Sequence, residues 1–415
     1  MNYMIGGNDS MANDIHDSKY FCILPWIHMH IWPNGITYPC CLATNDYVLG
    51  NTNDKSFLEL WNSERMCELR TNILEKKPTS GCTRCYEHEA NGSRSMRMNM
   101  NMDYEHIWDK TDLTNPDGSL DEIDMRYMDI RFSNICNFKC RTCGPELSSF
   151  WYDDSVKLNE AHKNNPRIYK IKKTLNELWD DMEQWIDSVE RIYFAGGEPL
   201  IMDEHYKIME HLLDIGKTDI HVSYNTNFSK LTYKKKDAVE LWKQFPTIKV
   251  GASLDAMGPR AELMRAGTDW SEVERNRERL LKEAPHVEFQ ISCTVSAYNA
   301  WHCVDFFDDW IDKGWVTPDR IDINVLLFPE HQRAQVLPES LRKETQAKLM
   351  DYMLRRNLKV VDKNGRSYNA CRALIKSLDT DKSDLISQFN ELNNKLDNIR
   401  NEKMSSVFTE LKDLI

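Results

Sequence analysis

The stretch Ser133-Asn-Ile-Cys136-Asn-Phe-Lys-Cys140-Arg-Thr-Cys143-Gly-Pro145 sets three thiols in one short loop and offers no fourth. Iron-sulfur clusters are usually held by four cysteine thiolates. Three leave one iron of a 4Fe-4S cube without a protein ligand, and an open metal position is where a substrate or cofactor binds. Zinc sites close with four ligands at paired short spacings, which this loop lacks. Three ordinary buried cysteines are the bland alternative. Further along, Ala195-Gly-Gly-Glu198-Pro-Leu200 joins two glycines, Gly196 and Gly197, to an acidic side chain after a strand-like run. Glycines permit close backbone approach, and a carboxylate makes a charge-assisted contact with an ammonium.

The Cys-x3-Cys-x2-Cys spacing resembles that of the radical S-adenosylmethionine (SAM) enzymes, and Ala195–Leu200 resembles the segment with which that family holds the methionine end of SAM. The resemblance implies that Cys136, Cys140 and Cys143 are the catalytic cluster ligands and that the free iron takes the amino and carboxylate groups of SAM. Glu198 would receive the ammonium. Thr142 stands where many members carry an aromatic residue next to the adenine. The Ser253-Leu-Asp255 pattern resembles the family's ribose motif, with a helix N-cap as its bland counterpart. Arg265 resembles an arginine that reaches the SAM carboxylate, a task suited to its planar fork.

From Tyr127 the chain alternates strand and helix patterns. Expected strands are 127–133, 191–194, 220–224, 248–254, 288–295 and 321–327, and the spacing of Leu175, Leu178, Trp179, Met182, Trp185 and Ile186 is that of an amphipathic helix. Six strands separated by helices imply an α/β parallel sheet with right-handed crossovers. The family resemblance makes this a partial (β/α)6 barrel. In most strands one face is polar: His221, Ser223 and Asn225; Gly251, Ser253 and Asp255; Gln290, Ser292 and Thr294; Asp322 and Asn324. Buried parallel strands read as near-continuous hydrophobic runs, so this alternation suits a lumen that holds a polar cofactor and substrate. Asn225, Asn227, Ser292 and Thr294 are cofactor or substrate candidates by face alone.

Ahead of the barrel, Cys22, Cys40-Cys41 and Cys82-x2-Cys85 surround an aromatic-rich stretch. The order Phe21-Cys22, Pro39-Cys40-Cys41, Leu49-Gly50-Asn51, Leu60-Trp61-Asn62, Cys82-Thr-Arg-Cys85 resembles the auxiliary-cluster module called SPASM, or its shortened form twitch, placed here before the barrel instead of after it. Cys22, Cys40, Cys82 and Cys85 would bind a second 4Fe-4S cluster, with Cys41 competing for the place of Cys40. Zinc suits the same spacing. The expected organisation is a metal-cluster module over 1–102, a linker over 103–122 rich in turn residues, the barrel over 123–330 and a helical region over 331–415. Cys67 and Cys293 read as core. Cys303 and Cys371 could donate a hydrogen atom to a product radical, although buried structural cysteine is the commoner role.

A chain of 415 residues with net charge −12 and no dense basic stripe disfavours nucleic acid as a partner. No apolar run reaches the roughly 18 residues of a membrane span, and the polar start lacks the features of a signal peptide. A cytoplasmic enzyme is expected, with most of its 12 cysteines kept as thiols or metal ligands. The resemblance implies reductive cleavage of SAM with an electron from a donor such as flavodoxin or ferredoxin. A peptide or protein side chain is the first expected substrate. A sugar, nucleoside or amino-acid derivative is the alternative within the enzyme class, and a non-catalytic iron-sulfur or zinc scaffold is the alternative outside it.

Overall fold

The computed structural model describes residues 13–92, 94–359 and 366–412. The chain forms two compact units, one of residues 1–133 and 170–193, the other of residues 134–169 and 194–415.

In the first unit five strands run β1 (His28–Ile31), β2 (Ile36–Tyr38), β3 (Gly50–Asn51), β4 (Tyr127–Ile130) and β5 (Arg191–Phe194). Their order across the sheet is β5-β4-β1-β2-β3. β1 lies parallel to β4, pairing His30 with Asp129, and β4 lies parallel to β5. β2 and β3 follow as antiparallel strands. The cysteine-rich segment therefore contributes strands to the sheet that holds the first expected barrel strand. Sequence patterning misses β1 because His28-Met-His-Ile31 is too short and too mixed to show a period, and all four residues are buried. The helix Phe57–Trp61 opens with a capping box in which Ser56 and Glu59 satisfy each other's backbone N–H groups. Thr174 and Glu177 do the same for Leu175–Met182.

The second unit carries β6 (His221–Thr226), β7 (Ile248–Ala252), β8 (Glu288–Val295) and β9 (Ile321–Val325) in the order β9-β8-β7-β6, all parallel. All six expected strands exist, within a few residues of their expected ends. Val222, Tyr224, Val250, Ile291 and Cys293 fill one face and are almost fully buried. On the other face Ser223, Ser253, Gln290, Thr294 and Asp322 are only half-buried, and Asn225 and Asn324 are exposed. The alternation seen in the sequence thus separates a packed side from an open polar side. Helices Asp203–Asp214, Trp270–Glu283 and Cys303–Asp312 connect the strands, and Glu339–Arg355, Arg366–Ser377 and Ile386–Arg400 follow as the expected C-terminal helices. On the last of these Phe389, Asn393 and Leu396 are buried. Cys293, Cys303 and Cys371 are each fully buried.

Candidate active site

The cysteine loop is shaped by contacts on three sides. Lys139–Cys140 forms a short antiparallel ladder with Arg265–Ala266, and Arg141 N donates to Met264 O at 2.7 Å. Gly267 follows with φ +114°. A Cβ there would stand 2.7 Å from Asn137 O and 2.8 Å from Phe138 Cδ1, so only glycine lets the two loops meet. Phe138 is buried beneath them. The indole of Trp151 donates to Cys140 O at 2.7 Å, and Cys143 N donates to Cys140 O at 3.0 Å. Burial pushes all three thiols above the ordinary range, Cys143 to about 12. At Cys140 the Arg265 guanidinium opposes that rise.

The Gly-Gly-Glu turn is stitched to this loop. Gly196 and Gly197 both have positive φ, and a Cβ on Gly197 would lie 2.3 Å from Ile135 O. Glu198 N donates to the same Ile135 O at 2.8 Å. The Glu198 carboxylate is buried and accepts from Leu200 N at 3.1 Å, Thr226 Oγ1 at 2.7 Å and Asn227 N at 2.6 Å. Burial raises its pKa to about 7 in spite of those three donors. A carboxylate has about four lone-pair positions, so the three donors leave one for an incoming cation. Asn227 also reaches back to the loop, donating to Asn137 Oδ1 at 2.8 Å, while Asn137 donates to Ser229 Oγ at 3.0 Å.

At the ends of β7 and β8 a second chain of contacts leads to the same place. Arg265 Nη1 lies 3.8 Å from Cys140 Sγ, and Arg265 Nε donates to Asp255 Oδ2 at 2.8 Å. Asp255 Oδ1 accepts from the backbone N of Thr294 at 2.8 Å. Asp255 is only 2 % exposed and is engaged on both oxygens, so here it orients Arg265 instead of facing outward with Ser253. Ser253 and the Thr294 side chain remain half-buried on the polar face. Gly251 pairs with Asn225 and Gln290, and a Cβ there would stand 2.7 Å from Asn225 Oδ1 and 2.8 Å from Ser292 Oγ. This glycine keeps a polar recess open between three strands.

Sequence reasoning missed Thr226, the backbone of Asn227, Asn137 and Gly267. It also missed the anchor of the loop at Arg141, whose side chain is fully buried. Arg141 donates to Asn393 Oδ1 at 2.8 Å and pairs with Asp397 and Glu402, the latter at 2.7 Å. A signal existed for Gly267, next to Arg265. None existed for Arg141, whose partners lie about 250 residues away.

In the first unit, Cys22 and Cys85 are buried and Cys40 and Cys82 half-buried. Burial raises the Cys22 thiol, and Cys82 and Cys85 add to the rise. Burial likewise raises Cys40, helped by Cys41, Cys22 and Cys82, and it raises Cys82 to about 11, helped by Cys85. These four thiols thus feel one another. Cys41, raised to about 12 by burial, has Asp129 and Arg131 as its stronger charged neighbours and Met96 Sδ at 3.6 Å. Cys67 points away, at 3.5 Å from Asn62 O.

Among the described residues no three His, Cys, Asp or Glu side chains converge closely enough to hold a single metal ion. Both cysteine sets fit a cluster by donor type, burial and mutual influence.

Residues 22–86 match SPASM, an iron-sulfur cluster-binding domain, and residues 130–295 match the radical SAM superfamily. The GTP 3',8-cyclase of Sulfurimonas denitrificans is 25% identical over 144 residues, 34% of this chain and 39% of that protein. The GTP 3',8-cyclase of Campylobacter lari is 29% identical over 132 residues, 32% of this chain and 35% of that protein. The chain spans between a third and two fifths of these curated relatives. Among solved structures, native anSMEcpe with bound AdoMet is 22% identical with a TM-score of 0.39, over 54% of this chain and 59% of that one. Among the described residues no helix is long and apolar enough to cross a membrane.

Proposed function

The chain belongs to the radical SAM superfamily and carries a SPASM domain ahead of the barrel, and we propose that it cleaves SAM reductively to take a hydrogen atom from a peptide or protein side chain. The observation that carries this reading is the backbone stitch from Glu198 N to Ile135 O, which sets the Gly-Gly-Glu turn against the three-cysteine loop. Cys136, Cys140 and Cys143 would hold the core 4Fe-4S cluster, which with SAM bound would supply the electron for reductive cleavage of SAM.

The protein's own part is binding and orientation. Gly196 and Gly197 let backbone approach the methionine moiety, and Glu198 offers its remaining lone pair to the ammonium. Asp255 positions Arg265, which faces Cys140 and is suited to the SAM carboxylate. Ser253 serves the ribose, and Asn225 and Thr294 on the polar face serve cofactor or substrate. Cys22, Cys40, Cys82 and Cys85 hold a second 4Fe-4S cluster, Cys40 being favoured over Cys41 by its closer relation to Cys22 and Cys82. The electron comes from a flavodoxin- or ferredoxin-type donor. The SPASM match supports the peptidyl substrate by analogy of family.

The test is anaerobic incubation of the reconstituted protein with SAM and dithionite. 5′-Deoxyadenosine should form with the wild type and vanish in the Cys136/Cys140/Cys143 triple alanine variant. A cluster-loaded wild type that makes none defeats the proposal. Co-expression with a peptide encoded beside the gene should change the peptide's mass. A second reading, a nucleotide or other small-molecule substrate, is favoured by the cyclase similarity. Consumption of GTP with the peptide unchanged would select it.

A further inference from the structure

The turn that follows β6 is held from several sides. Phe228 N donates to Thr226 Oγ1 at 3.0 Å, and Asn276 Nδ2 donates to both Phe228 O and Ser229 O at 3.0 Å. The Phe228 ring is fully buried, its centre 5.2 Å from that of Phe289. Phe228 itself has φ +56°, in the left-handed region that a bulky side chain rarely enters. Such a conformation is costly and persists only where the surroundings over-determine it. The turn is therefore stiff, and what it presents is Asn227.

Asn227 is 7% exposed and grips two things at once. Its backbone N donates to Glu198 Oε2 at 2.6 Å. Its side-chain Nδ2 donates to Asn137 Oδ1 at 2.8 Å, and Asn137 directly follows Cys136 in the cysteine loop. The orientation of the Asn227 amide is fixed, because its Oδ1 accepts from Ser229 N at 3.0 Å and from Ser229 Oγ at 2.7 Å. Asn137 Nδ2 donates to Ser229 Oγ at 3.0 Å, which closes a ring of three side chains between the loop and the turn. Each member both donates and accepts, so the ring has one arrangement and a set width.

We propose that Asn227 is a positioning residue that sets the separation between Glu198 and the cysteine loop, and with it the register in which the amino group of SAM meets Glu198 and the open iron together. The proposal rests on the reading that Cys136, Cys140 and Cys143 hold the core cluster and that Glu198 takes the SAM ammonium. Truncating the Asn227 side chain leaves its backbone N–H on Glu198 and removes only the tie to the loop. A misplacement of about 1 Å between reacting groups can cost about a hundredfold in rate.

The experiment compares wild type, Asn227→Ala, Asn137→Ala and the double variant after anaerobic reconstitution. Iron content is measured first, and 5′-deoxyadenosine formation under dithionite is followed across SAM concentrations. Pulsed electron paramagnetic resonance of the reduced core is recorded with SAM carrying nitrogen-15 at its amino group. In each single variant kcat per loaded core should fall about tenfold or more, with KM changed by less than about threefold. The nitrogen-15 coupling should weaken in parallel. The double variant should be no slower than the slower single one, because both substitutions remove the same link. A wild-type kcat per core with unchanged coupling overturns the proposal, and so do losses that multiply in the double variant. If Asn227→Ala does not load its cluster, Asn137→Ala decides by rate and coupling on the same terms. A cluster-loaded wild type that makes no 5′-deoxyadenosine would defeat the functional reading and the proposal with it.

Discussion

Glu198 shows at the scale of one residue what can be read from sequence and what cannot. Its place after two glycines marks it as a ligand-facing carboxylate, and Gly197, pressed against Ile135 O at positive φ, explains why no other residue fits before it. What the sequence does not carry is the set of donors from β6 and the turn after it that holds Glu198 in a dry site. Burial raises its pKa to about 7. Unfolded, the group ionises near its ordinary value of 4.5, so between 4.5 and 7 the unliganded fold keeps a proton that the unfolded chain has lost. That contribution to stability is present below 4.5 and declines as pH rises to 7. An ammonium bound to Glu198 favours the carboxylate and expels the proton. SAM binding to the cluster-loaded protein should therefore release a proton at pH 6, and its affinity should fall as pH drops below 7, by up to about tenfold per unit. Calorimetry at pH 6 in two buffers of different ionisation enthalpy measures this. Equal heats in both buffers, with affinity flat from pH 6 to 8, would remove Glu198 from the ammonium site. Asp255 teaches the converse. Its alternation onto the polar face is legible, but its capture by Arg265 and Thr294 N depends on a loop whose course no periodicity reports.

At the scale of elements, the strands of the second unit were legible because each has one continuous apolar face, whereas β1 was hidden by its length. The helix Ile386–Arg400 was readable as an amphipathic helix, but its polar residue Asn393 sits on the buried side, where pattern alone would place an apolar one. The structure explains it: Asn393 accepts from Arg141 at 2.8 Å and from Tyr298 at 2.9 Å and donates to Phe389 O at 2.8 Å. Removing Arg141 leaves Asp397 and Glu402 without their shared cation. Asp397 and Glu402 are 17% and 21% exposed, so water takes over part of what Arg141 gave them and the loss falls below that of breaking a fully buried pair. Arg141→Met should therefore lose about 2 kcal/mol of the unfolding free energy of the apo-protein in a urea titration. Asp397→Asn, which keeps an acceptor in place, should lose less than half as much. Equal and small losses would mean that the helix does not anchor the loop.

The whole molecule brings two cysteine sets into one chain, each in its own compact unit, and the order of module and barrel followed from the resemblance that each cysteine set carries. The choice of metal at the first set did not, since Cys-x2-Cys serves zinc and iron alike. The match of residues 22–86 to an iron-sulfur cluster-binding domain favours iron. Cys22, Cys40, Cys82 and Cys85 influence one another, yet no three side chains of the kinds that bind metals close around a single point among the described residues. A cube would take such thiolates one to each iron. Anaerobically reconstituted protein should then contain about eight irons and no stoichiometric zinc. Because the two sets lie in different units, their loss should be separable. The Cys136/Cys140/Cys143 triple alanine variant should keep about four irons. A Cys22/Cys82/Cys85 triple alanine variant should also keep about four, with the spectrum that responds to SAM. About four irons plus one zinc in the wild type, with the zinc lost in the second variant, would make the first set a structural zinc site.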